Sequence, residues 1–104
     1  PVIPNHIEHA AYKCYVFVNG GVELRDKIMR EINEKGVPCY SGSCSEVYLE
    51  KAFDNTEFRP KERLPNAKEL GETSLMFLVH PTLTEDEIQQ TCDAIISVME
   101  FTVK

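Results

Sequence analysis

Apolar and polar residues alternate along this chain with two different periods. Tyr12 to Val18 is dense in aromatic and β-branched residues and reads as a strand, stopped by Asn19-Gly20-Gly21. Helical spacing follows, with Leu24, Ile28 and Ile32 on one face, Met29 beside them, and Gly36 as the residue that closes the helix. Val37 to Tyr40 is short and extended, and its Pro38 points to an edge position or a strand start. Ser41 to Glu46 is a loop of small polar residues, and Ser45 is placed to cap a short helix through Val47, Tyr48, Leu49 and Phe53. Asp54 to Arg63 is polar and irregular. Leu64 to Leu70 reads as another short helix, ended by Gly71. Thr73 to Val79 is a second long strand, apolar enough to be covered on both faces. Thr84-Glu85-Asp86-Glu87 forms a capping box, with Leu83 and Ile88 as its staple and three acids at the positive end of the helix dipole. Ile88, Cys92, Ile95 and Met99, with Ile96, then make an apolar stripe. One sheet covered by amphipathic helices is the simplest layering for this order.

The chain has 104 residues, which makes it one domain with one modest core. Its net charge of -6 argues against nucleic-acid binding and against an anionic membrane surface. No apolar run approaches a membrane span, and the first ten residues do not have the basic-then-apolar order of a signal peptide. A cytoplasmic location follows. The chain begins at Pro1 without Met and is expected to be cut from a longer one. Cys14, Cys39, Cys44 and Cys92 show no C-x2-C pair. Cys14 in a strand and Cys92 on an apolar helix face read as buried, reduced thiols. Cys39 and Cys44 lie close enough in sequence to leave a disulfide or a metal open as a lesser alternative.

Candidate chemistry is sparse. His6 and His9 would pair on a metal only within one helical turn, which Pro4 disfavours, and His80 at the end of a strand faces either backbone or a site. Ser43 lacks the G-x-S-x-G setting of a nucleophile turn, and no phosphate-binding glycine motif occurs. Arg59, Lys61, Arg63 and Lys68 form a basic cluster, interleaved with Glu57, Glu62 and Glu69 as a salt-bridged surface would be. The loop over residues 40–48 is the most unusual stretch, because it sets hydroxyls and a flexible glycine between a strand end and a helix start. That is a place suited to a polyhydroxylated ligand or a phosphate, although a plain connector remains open.

The order of motifs resembles the C-terminal small domain of the DegT/DnrJ/StrS-type aminotransferases. The matching pieces are His9-Ala10-Ala11-Tyr12-Lys13-Cys14-Tyr15-Val16, Arg25-Asp26, Gly36-Val37-Pro38, Leu49-x-x-Ala52-Phe53, Leu64 to Leu70, Leu75 to Pro81, and the Thr84-x-x-Glu87-Ile88 helix. Likeness runs over residues 9–100. It implies an α+β fold, with a small, mostly antiparallel sheet and helices packed on one face. Residues 1–10 would be a connector, and 11–104 the small domain. The parent enzyme would move an amino group from glutamate to a keto sugar nucleotide through pyridoxal phosphate, as a homodimer. The large cofactor-bearing domain is missing, so this chain alone is expected neither to hold the cofactor nor to transaminate, and no catalytic residue or metal ligand is assigned to it. Many members carry a His-Tyr-Pro-x-Pro-Leu-His loop after Gly-Ile-Pro. The residues available here to meet the substrate are Tyr40, Ser41, Ser43, Glu46 and Tyr48. The rival classes are a free-standing small-molecule-binding or regulatory module and a pure dimerisation domain.

Overall fold

A computed structural model describes residues 2–42 and 44–102. Strands β1 (Cys14–Phe17), β2 (Cys39–Ser41) and β3 (Ser74–Phe77) form one three-stranded sheet in the order β1-β3-β2, antiparallel throughout. Register sets Cys14, Phe77 and Cys39 in one cross-strand row and Val16, Leu75 and Ser41 in another. Both rows point to the same face of the sheet. Helix α1 (Gly21–Glu34) lies against that face, with α2 (Pro65–Thr73) and α3 (Glu85–Thr102) packed on α1. The fold is therefore α+β with the helices to one side. The core is Val18, Ile28, Ile32, Val37, Cys39, Leu75, Phe77, Ala94 and Val98.

Local chemistry accounts for the joints. Gly36 takes φ 79°, and the Gly36 and Val37 amides donate to the carbonyls of Asn33 and Ile32, a Schellman ending that satisfies the last turn of α1. The Asn33 side chain then holds both backbone groups of Cys39, at 2.7 Å to its carbonyl and 3.3 Å from its amide. Edge strand β2 is thereby tied to the end of α1 rather than left open to water. Buried Arg25 donates from one guanidinium nitrogen to the carbonyls of Gly71 (2.9 Å) and Ser74 (3.0 Å), pinning the α2–β3 junction. The capping box of α3 is formed, with the Thr84 amide on Glu87 at 2.7 Å and the Glu87 amide on the Thr84 hydroxyl at 3.2 Å.

Several sequence expectations change. Helix α2 runs through Gly71 to Thr73, because the Thr73 hydroxyl bonds the Glu69 carbonyl and Arg25 takes the Gly71 carbonyl. Ser45 caps nothing; two 3-10 turns (Val47–Leu49 and Lys51–Phe53) replace the short helix, and the Ser45 hydroxyl bonds the Ala67 carbonyl instead. β3 is buried at Ser74, Leu75 and Phe77 and half-buried at Met76, and Leu78 and Val79 extend past it into exposed positions. The stripe on α3 is buried only in part: Ala94 and Val98 are buried and Ile95 packs half-buried on the core, whereas Ile88 and Cys92 are exposed. Cys92 is thus no buried thiol, and Cys14 is only half-buried, whereas Cys39 is buried. Cys39 and Cys44 are both free, one inside and one at the surface.

Candidate functional site

The 40–48 segment leaves the edge strand, crosses the end of β3 and enters the 3-10 turns. Its course is set by two close approaches. A Cβ on Gly42 would stand 2.0 Å from the Ser74 hydroxyl oxygen, and one on Gly71 would stand 2.6 Å from that of Ser45. Only glycine lets the loop lie this near the α2–β3 junction. The Gly42 amide donates to the Ser74 carbonyl at 3.3 Å, the same carbonyl that Arg25 holds from within.

The far half of the loop is locked. The Glu46 carboxylate accepts the Tyr48 hydroxyl at 2.8 Å and Arg63 Nε at 2.8 Å, with Arg63 Nη2 on its second oxygen. Buried Tyr48 accepts the Leu64 amide at 2.9 Å. Arg59 donates to the carbonyls of Tyr48 and Glu50 and pairs with Asp54. The bidentate Arg63 contact holds the Glu46 carboxyl down to about 2, despite the desolvation that opposes it. Burial and the Glu46 carboxylate together push the Tyr48 phenol up. Most of the basic cluster is thereby spent on internal pairs: Arg59 on Asp54, Arg63 on Glu46 and Glu72, Lys68 on Glu72.

The near half is free. Tyr40 and Ser41 are exposed on β2. Ser43 lies outside the described residues. Tyr40 stands in one cross-strand row with Met76 and Tyr15 on the helix-free face of the sheet, and Phe17, 58% exposed, shares that face. A shallow cavity of about 240 Å³ continues this face to the loop, lined by Tyr15, Phe17, Ser45, Leu70 and Ser74. A ligand there would meet aromatic surface below and hydroxyls at the rim. The sequence reading missed this face, though the aromatic residues at Tyr15 and Phe17, two apart, were its signal.

Of the five residues expected to meet substrate, Tyr40 and Ser41 face solvent beside the aromatic face, and Glu46 and Tyr48 form the clamp that holds the loop. His80 turns to a neighbour, with Nδ1 2.8 Å from the Thr82 hydroxyl. Among the described residues no group of histidine, cysteine and acid side chains is arranged to hold a metal, and no helix is long and apolar enough to cross a membrane. A pyridoxal-phosphate site needs a lysine amine over a pocket, a carboxylate for the ring nitrogen and donors for the phosphate. The six described lysines are all exposed, with Lys27 and Lys68 paired to Glu31 and Glu72 and Lys13 over the Tyr12 ring.

The family model for DegT/DnrJ/EryC1/StrS aminotransferases matches residues 1–96. Among solved structures, the crystal structure of an aminotransferase from Psychrobacter cryohalolentis is 63% identical with a TM-score of 0.85, over 93% of this chain and 26% of that one. The chain therefore spans about a quarter of the length of the enzyme it matches. No curated protein is significantly similar to it.

Proposed function

Because the chain belongs to the DegT/DnrJ/EryC1/StrS aminotransferase family, we propose that it is the C-terminal small domain of an enzyme that aminates a keto sugar nucleotide, with glutamate as donor. The observation that carries this reading is the 63% identity to an aminotransferase of which it matches only 26%. The family is in general pyridoxal-phosphate-dependent. In this reading the cofactor supplies the amino-group carrier and is held by the rest of the enzyme. Residues 1–10 act as connector and 11–104 as the domain, in a homodimer in the cytoplasm.

The part played by this chain is positioning. Tyr40 and Ser41 meet the sugar nucleotide as hydrogen-bonding groups beside the aromatic face, and Ser43 is their partner in that role. Glu46 and Tyr48 keep that half in place through Arg63 and Leu64. A loop anchored at one end delivers its polar groups with little ordering cost when the substrate arrives. Closing the domain over the substrate excludes water and strengthens those contacts. Arg63→Ala in the chain encoded by the whole reading frame is expected to raise KM for the sugar nucleotide more than it lowers kcat, followed by 2-oxoglutarate release. The 104-residue chain with pyridoxal phosphate, glutamate and keto sugar nucleotide is expected to release none. Turnover by that short chain, or a whole reading frame that encodes no large domain ahead of Pro1, would sink the reading.

A further inference from the structure

We propose that the outer apolar stripe of α3, together with the helix-side face of β1, is the seat of an amphipathic helix from the remainder of the enzyme chain, bearing Lys or Arg along the edge of its apolar stripe. The inference rests on the small-domain reading above. Each residue of a helix turns about 100°, which places Ile88, Cys92, Ile95 and Met99 within an arc of about 60°. On one side of the buried pair Ala94 and Val98, α3 meets the end of α1, where Lys35 borders a cavity with Asp86, Gln90 and Ser97. On its other side only Ile95 packs, half-buried, on the core, and the rest of the stripe stays open among the described residues. Ile88 is 49% exposed and Ile96 56%.

The floor of that gap is β1. Register points Cys14 and Val16 to the same side as Phe77 and Leu75, yet Val16 is 41% exposed while Leu75 is buried. A cavity of about 290 Å³ joins floor and wall, lined by Cys14, Phe77, Leu83, Ile88, Cys92 and Ile95. An apolar wall with i, i+4, i+7, i+11 spacing beside an apolar strand presents the ridges that another helix packs against. The relative with a known structure carries nearly three quarters of its chain outside the matched part, so there is chain to supply the occupant. Val2 to Lys13, all exposed, lead directly into β1, the floor of the gap. Glu85 and Glu100 lie on the solvent side of the stripe, in a chain of net charge -6. That flank selects an occupant with basic residues at its edge.

Cys92, exposed on the stripe, is a built-in reporter. In the folded chain encoded by the whole reading frame, site-resolved iodoacetamide labelling is expected to modify Cys92 at least about 50-fold more slowly than in urea, because the thiol opens only with the seat. In the 104-residue chain the thiol should label at nearly the unfolded rate. Ile88→Gln should speed labelling about tenfold in the long chain and leave the short one unchanged. A photoreactive phenylalanine analogue placed at Ile96 should cross-link to a helical, Lys- or Arg-bearing peptide of the same chain. Fast labelling of Cys92 in the folded long chain would overturn the proposal, as would a cross-link to a second subunit. Neither readout uses turnover: an active long chain with reactive Cys92 would sink the seat alone, and an inactive one with protected Cys92 would sink the aminotransferase reading alone.

Discussion

Helices α1 and α3 have similar patterns and opposite fates. The 14-residue α1 buries Ile28 and Ile32 completely and even draws Arg25 inside. The 18-residue α3 buries only Ala94 and Val98, small side chains that let it approach α1, half-buries Ile95, and shows Ile88, Ile96 and Phe101 to water. Both stripes are genuine signals of burial. The pattern says that a face will be covered; it does not say by what. In α1 the cover is the sheet of the same domain, whereas in α3 Ile88 and Ile96 stay exposed among the described residues, where we propose a further helix sits.

The largest expected contrast is Ile28→Ala, which should cost about 2–5 kcal/mol in urea unfolding of the 104-residue chain, since the site is closed on all sides. A cost under about 1 kcal/mol would mean that α1 is not the seated helix. Next is Arg25→Ala. Two carbonyls that its guanidinium holds lose a charged donor, an expected loss of about 1–3 kcal/mol by the same measurement. The thiols give a kinetic version of the contrast. Burial pushes the Cys39 thiol up to about 11, so at pH 8 it should stay unlabelled by iodoacetamide until the protein unfolds, while Cys92 reacts in the folded 104-residue chain.

The Glu46–Arg63 clamp adds a pH test on the α2 side. Its folded carboxyl lies at about 2 against an ordinary 4.5. A lowered carboxyl contributes stability above the unfolded value and loses it as pH falls through the folded one. The gap between the native chain and Glu46→Gln should therefore be full at pH 6 and shrink between about pH 4.5 and 2. A constant gap would place the effect of Glu46 outside its charge. Smallest of all, Ile88→Ala should leave the 104-residue chain within about 0.5 kcal/mol. A loss of 2 kcal/mol would show that the stripe is already covered.

Much of the fold was legible because it is local. Asn19-Gly20-Gly21, Gly36 and the Thr84–Glu87 box mark their boundaries by backbone chemistry within a few residues. The site was only half legible. Tyr40 and Ser41 were named from the sequence and lie exposed on β2, but the tie of Glu46 to Arg63, seventeen residues away, has no short-range signature. Ser45 misled for the same reason: a hydroxyl before a short apolar run reads as a cap, and only the presence of α2 gave it the Ala67 carbonyl instead. Gly71 misled likewise, as a helix stop whose carbonyl Arg25 had claimed.

Periodicity, turn chemistry and capping by themselves placed the strands and the two long helices, since each is settled by neighbours a few bonds apart, whereas the α+β arrangement came from the family resemblance. Which faces were buried, which of the loop's polar groups stayed free, and which helix kept its apolar stripe in water were decided by tertiary packing. The physical reason is that burial depends on the surfaces that meet, and those come from distant parts of the chain, whereas hydrogen-bonded local structure carries its partners with it.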